Sequence, residues 1–191
     1  TDDRLALGSS ALGMLRNVAG ATVFVVVKYS NTAGANRTSF FISLGGSTSA
    51  RVQIRTTTTP KYQVIGRRLD ADSSQNVASS QDTSTTNFVI HSAFFNYQNT
   101  LLQQYINGTL DGQKTDFQTA GNTSDTSSNT ILIGTDGAYT GTTHTHFICN
   151  WLVSDAEAAE IDRYFSLVFD DAEFAINTLG LNKGEIDADI Y

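Results

Sequence analysis

Three sets of residues in this chain have the types and spacing for chemistry. Glu185 and Asp187, followed by Asp189, alternate in the segment GEIDAD. Two carboxylates on one strand face can act as nucleophile and acid on a glycosidic bond. A retaining pair must then stand about 5–5.5 Å apart around that bond. This would require a central cleft strand, whereas GEIDAD lies at the end of the chain. It reads first as a solvated or interfacial tail, with a glycan-cleaving enzyme as the alternative. His144 and His146 are two apart in THTHFICNWL, a spacing that suits metal ligation from one strand face. No third ligand adjoins them, and His91 or Cys149 could be recruited only by the fold. The expected reading is a polar strand face. Asp70, Asp72 and Asp136 sit in stretches rich in Ser, Thr and Gly. Their hard oxygen ligands would suit Ca2+, although the spacing is not that of a recognised calcium loop.

A fourth set suits binding rather than catalysis. Trp151, Tyr139, Tyr97 and Tyr62 offer ring faces that could cover the apolar C–H surface of a sugar. Trp151 directly precedes a helix start, where packing at the junction competes with a ligand-facing role. Tyr139 is flanked by glycines and is expected to be exposed. There is no G-x-S-x-G elbow, P-loop, dinucleotide fingerprint or H-E-x-x-H, so nucleophilic, nucleotide-dependent and zinc-protease chemistry lack support.

The elements that must position these groups read as strands. TVFVVVKY at 22–29 is nearly continuous in apolar residues, as expected for a strand covered on both faces. SFFISL at 39–44 follows. ARVQIRT at 50–56 alternates, which places Val52 and Ile54 inward and Arg51, Gln53 and Arg55 outward. KYQVIGRR at 61–68, NFVIHSAFFNY at 87–97, LLQQYI at 101–106, TILIGT at 130–135 and THTHFICNWL at 143–152 complete the set. A weak strand signal lies near Val77. Asn107-Gly108 is the strongest hairpin signal. A helix starts at Ser154, where Ser-Asp-Ala-Glu forms a capping box ending at Glu157. Its apolar stripe, Ile161, Tyr164, Phe165, Val168 and Phe169, is expected to pack on the strands. A second helical stretch over 170–179 would stop at Gly180.

Composition agrees with this reading. Thr, Ser and Asn make up 56 of 191 residues, which favours half-exposed strands and long polar turns. One cysteine rules out an internal disulfide. The net charge is −7, with ten acids against Arg163 and Lys183 from residue 155 onward. The body is nearly neutral and the tail acidic. Without a concentrated basic face, nucleic acid is not an expected partner. No apolar run is long enough to span a bilayer, and no signal peptide is expected.

Three segments in order resemble the laminin-G-like domains of the concanavalin-A-like superfamily. They are TVFVVVKYS at 22–30, NFVIHSAFFNYQNTLLQQYINGTLDG at 87–112, and ILIGTDG with FICNWLVSDAEAAEID over 131–162. Where the family usually carries an acidic residue near the start of its last strand, this chain has Thr145 and His146. RRLDADSSQNV at 67–77 and FQTAGNTSDTSS at 117–128 resemble, more specifically, sandwich domains of tail-fibre and other virion proteins of tailed bacteriophages. The resemblance implies an all-β, concanavalin-A-like jelly-roll sandwich over residues 1–165, with its core over about 20–165, a short capped helix and an acidic extension at 166–191. It implies a non-enzymatic module that binds host-surface polysaccharide through Arg68, Tyr139, Asp136, His144 and Trp151. No cofactor is expected, with Ca2+ held by Asp70, Asp72 and Asp136 as the alternative. The setting implied is a virion or cell surface, with a homo-oligomer, a trimer first, among other virion subunits. A structural decoration or assembly domain is the alternative.

Overall fold

The β-branched and aromatic runs pair into antiparallel strands because only a sheet satisfies their backbone while burying alternate side chains. The structure, a computed structural model, describes residues 5–6, 14–29, 36–44, 50–84, 86–125, 129–133, 141–149 and 154–168. The strands are β1 (Leu5–Ala6), β2 (Gly20–Tyr29), β3 (Thr38–Leu44), β4 (Ala50–Thr56), β5 (Lys61–Gly66), β6 (Gln75–Asp82), β7 (Val89–Asn96), β8 (Leu101–Ile106), β9 (Thr109–Lys114), β10 (Asn129–Ile133) and β11 (Gly141–Cys149). One sheet runs β1-β10-β3-β4-β5-β6 and the other β11-β2-β7-β8-β9. This is a jelly-roll β-sandwich.

The core lies between the sheets. Val23, Val25, Ala93, Phe95 and Leu102 from one sheet meet Phe40, Ile42, Val52, Ile54 and Val64 from the other. At one end Phe95, Tyr97 and Phe117 form an aromatic cluster with ring centroids about 6 Å apart. At the other end Val27, Tyr29, Tyr62, Val89 and Ile106 close the core. The β2 run is buried on both faces, since Phe24 and Val26 are as buried as Val23 and Val25. Beyond the core, Phe24 meets Phe94 edge-on, and Phe94 packs against Tyr105.

Several elements depart from the sequence reading. The weak signal at Val77 is a full strand, β6, and TLDGQK is a further strand, β9. Asn107 (φ 50°) and Gly108 (φ 74°) form the turn between β8 and β9. Arg51, expected outward, is fully buried, with Nε 3.5 Å from the Asp70 carboxylate. The register between β3 and β4 slips there, since Ile42 pairs with Val52 and Ser43 with Ala50, so Arg51 is the extra residue of a β-bulge that breaks the alternation.

The chain divides into two compact units, Thr1–Leu152 and Val153–Tyr191. In the second, α1 (Asp155–Val168) begins at the expected capping box. The Ser154 amide donates to Glu157 Oε2 at 2.7 Å, and the Glu157 amide donates to Ser154 Oγ at 3.3 Å. The expected stripe contacts of this helix and the helix over 170–179 lie outside the described residues.

Candidate functional site

The groups proposed from sequence do not form one cluster in the described residues. Asp136, Tyr139 and Trp151 lie outside them, as do Glu185 and Asp187. His144 is the extra residue of a β-bulge in β11: Thr143 pairs with Val27 and Thr145 with the adjacent Val26. The bulge interrupts the strand's period of two, so the spacing of His144 and His146 no longer implies a shared face. Tyr62 and Tyr97 are buried in the core and cannot stack on a ligand. Burial raises the pKa of both phenols.

Arg68, Asp70 and Asp72 share one loop at the end of the sandwich. Arg68 donates through Nη1 to Asn122 O at 2.9 Å and through Nη2 to Thr119 Oγ1 at 2.7 Å. It thereby ties this loop to the one after β9. Gly121, 3.1 Å from Arg68 Nη1 at the Cβ position, adopts φ 138°, a backbone conformation that favours glycine. Asp70 faces Arg51, and Asp72 Oδ2 accepts the Leu69 amide at 2.9 Å. Asn122 bonds Asn17 and Gln98 nearby, and Arg16 pairs with Asp125. These contacts hold the loops to each other. Among the described residues no three His, Cys, Asp or Glu side chains group as a metal site.

A second polar array lies on the outer face of the six-stranded sheet. On β4, Val52 and Ile54 enter the core, so Gln53 and Arg55 face away from it. Phe41 of β3 stands opposite Gln53, and Gln63 of β5 stands opposite Arg55. Arg55 Nε donates to Gln63 Oε1 at 2.7 Å, and Gln63 Nε2 donates to Asn76 Oδ1 of β6 at 3.2 Å. Gln53 Nε2 donates to Thr38 Oγ1 at 2.6 Å. Gln63 and Thr38 are buried under this row, whereas Phe41, Gln53 and Arg55 are partly exposed and Asn76 is exposed. Gln53, Arg55 and Asn76 are therefore each oriented by a hydrogen-bonded neighbour on an adjoining strand. Burial pulls the Arg55 guanidinium below its ordinary pKa.

The alternation in ARVQIRT already marked Gln53 and Arg55 as outward. What the sequence hid was the cross-strand register that sets Gln63, Asn76, Phe41 and Thr38 beside them.

No family model and no curated protein matches this sequence. Solved structures share the fold. One is a heptameric SAP-like pentraxin from Limulus polyphemus, with a TM-score of 0.60 at 10% identity, covering 78% of this chain and 71% of that one. Another is the Ruminococcus gnavus IT-sialidase CBM40 bound to alpha2,3 sialyllactose, with a TM-score of 0.59 at 13% identity, covering 76% and 84%. A third is the botulinum neurotoxin serotype D binding domain, with a TM-score of 0.61 at 14% identity. It matches over 80% of this chain but only 38% of its own length.

Proposed function

We propose that this domain is a non-enzymatic glycan-binding module. The observation that carries the reading is the ordered row Arg55–Gln63–Asn76 with Gln53 and a partly exposed Phe41 on one sheet face. Sugars present paired hydroxyls beside apolar C–H patches. A preset row of amides and a guanidinium can bond the first while an aromatic covers the second. Fixing these groups before binding lowers the entropic cost of association. The fold it shares with a carbohydrate-binding module crystallised with sialyllactose supports the same reading.

The narrower setting, an adhesion module of a tailed-phage virion protein that binds host-surface polysaccharide, rests on the sequence resemblance. A trimeric assembly belongs to that setting and is checked by the solution mass of the whole chain. No helix among the described residues is long and apolar enough to cross a membrane.

The test is binding of the intact chain to a broad glycan panel that includes bacterial surface polysaccharides. Phe41→Ala and Asn76→Ala should each weaken the strongest signal without shifting the thermal midpoint by more than about 2 °C. A flat response across the panel would count decisively against glycan binding.

A further inference from the structure

A partly buried charge with no acidic partner among the described residues lies on that same face. Arg55 is partly buried in the sheet, yet no carboxylate pairs with it among the described residues. Its one bond there is the Nε donation to Gln63. Lys61, Lys114 and Arg16, by contrast, each hold an aspartate, and Arg51 faces one. A partly desolvated cation without a counter-ion is costly to maintain, and an incoming anion removes that cost.

The geometry also sets which atoms remain to bind. Nε is committed to Gln63, and Gln63 is held in turn by Asn76. The terminal nitrogens of the guanidinium are left as a planar fork, the shape that matches the two oxygens of a carboxylate. Gln53, two residues earlier on the same face, has its amide nitrogen on Thr38. Its carbonyl oxygen is left to accept a hydroxyl. Phe41 stands opposite Gln53 and can cover the ring of the same sugar. Arg37, adjacent to Thr38, likewise has no acidic partner among the described residues. Among the described residues this end of the sheet thus carries two cations, Arg37 and Arg55, without an acidic partner.

We infer that Arg55 selects a carboxylate-bearing sugar, with Gln53 and Phe41 positioning the ring. This inference rests on the glycan-binding reading and names its ligand class. Uronic and nonulosonic acids share the carboxylate, and the test separates them.

The experiment uses the intact chain with polygalacturonate and with polysialic acid, each beside its carboxyl-reduced form. Binding is followed at low and at moderate salt. Arg55→Gln is the test variant, Arg55→Lys keeps the charge without the fork, and Lys114→Gln is a control on β9 of the other sheet. All are first matched by circular dichroism.

The expected result is that one acidic polymer binds and its reduced form binds on the order of ten- to a hundredfold more weakly. Arg55→Gln should lose a similar factor together with the salt dependence, Arg55→Lys should recover only part of it, and Lys114→Gln should bind like the parent. Equal binding of acidic and reduced polymers, or an unaffected Arg55→Gln, overturns the carboxylate inference and leaves glycan binding standing. Silence with these four polymers alongside binding of a neutral glycan does the same. Silence across the whole glycan panel overturns both.

Discussion

Inside the sandwich the Nε2 atom of His91 lies 3.2 Å from Oε1 of Gln104. Gln104 Nε2 donates to Asp111 Oδ2 at 2.9 Å, and Gln81 Nε2 of β6 donates to the other oxygen of that carboxylate at 2.8 Å. A side-chain relay thus runs from the core on β7, through β8 and β9, to β6 of the opposite sheet. It joins the two sheets where their edge strands approach.

The relay makes stability depend on pH. Burial pushes the His91 pKa down to about 4, against the partial opposition of Gln104 and Asp111. In the unfolded chain the imidazole titrates near its ordinary value of 6.5. Between these limits the unfolded state binds a proton that the folded state refuses, so stability rises with pH across that window. Acidifying from pH 7 to 4 should remove up to about 3 kcal/mol through this residue. Denaturant unfolding at several pH values checks it. His91→Gln should flatten the profile relative to the parent, and parallel profiles would assign the acid sensitivity to the carboxylates instead.

Gly66 carries a packing constraint. A Cβ there would run into the Phe95 ring and stand 3.1 Å from the Arg51 carbonyl. Neither can move easily, since the ring is in the central core and the carbonyl accepts the Arg67 amide at 3.0 Å. Gly66→Ala should therefore cost about 1–3 kcal/mol. Phe95→Leu should cost stability alone but less in the Gly66→Ala background. A double-mutant cycle measures this coupling, and simple additivity would show that the backbone shifts instead.

Asp70 faces the buried Arg51, whose pKa is lowered chiefly by burial and raised in part by Asp70. Asp70→Ala should destabilise by about 1–3 kcal/mol, the lower figures reflecting the carboxylate's partial exposure. A chelator should leave the thermal midpoint of the parent unchanged. A chelator that lowers the midpoint as far as Asp70→Ala does would identify the carboxylate as a calcium ligand instead.

Elements with strong local signals were legible in the sequence. The Val-rich β2, the Asn107-Gly108 turn and the Ser154–Glu157 capping box each follow from a short pattern whose physics is local. β6 and β9 were hard to read for a physical reason. As edge strands they bury few side chains: β6 hides mainly Val77 and Ser79, and Leu110 of β9 is exposed. The aromatic and charged groups misled wherever long-range contacts decide. Tyr62 and Tyr97 are polar-tipped residues that strands far apart in sequence enclose, and Arg51 sits at a bulge that simple alternation does not foresee. The Arg55 row was half legible, because alternation gives a face but not the neighbours that register brings to it.

The hairpin turn offers a last and separable prediction. Asn107 adopts φ 50°, its amide donates to the Ile90 carbonyl at 2.8 Å, and its Oδ1 accepts the Ile90 amide at 2.9 Å. The residue thus supplies the turn conformation and ties the hairpin to the start of β7. Asn107→Gly keeps the left-handed backbone and loses only the side-chain bond, which should cost about 1 kcal/mol. Asn107→Ala loses the bond and adds strain, so it should cost about 1 kcal/mol more. Thermal melts of the two variants measure the difference. Equal losses would mean that the side-chain tie to β7, rather than the turn conformation, selects asparagine at this position.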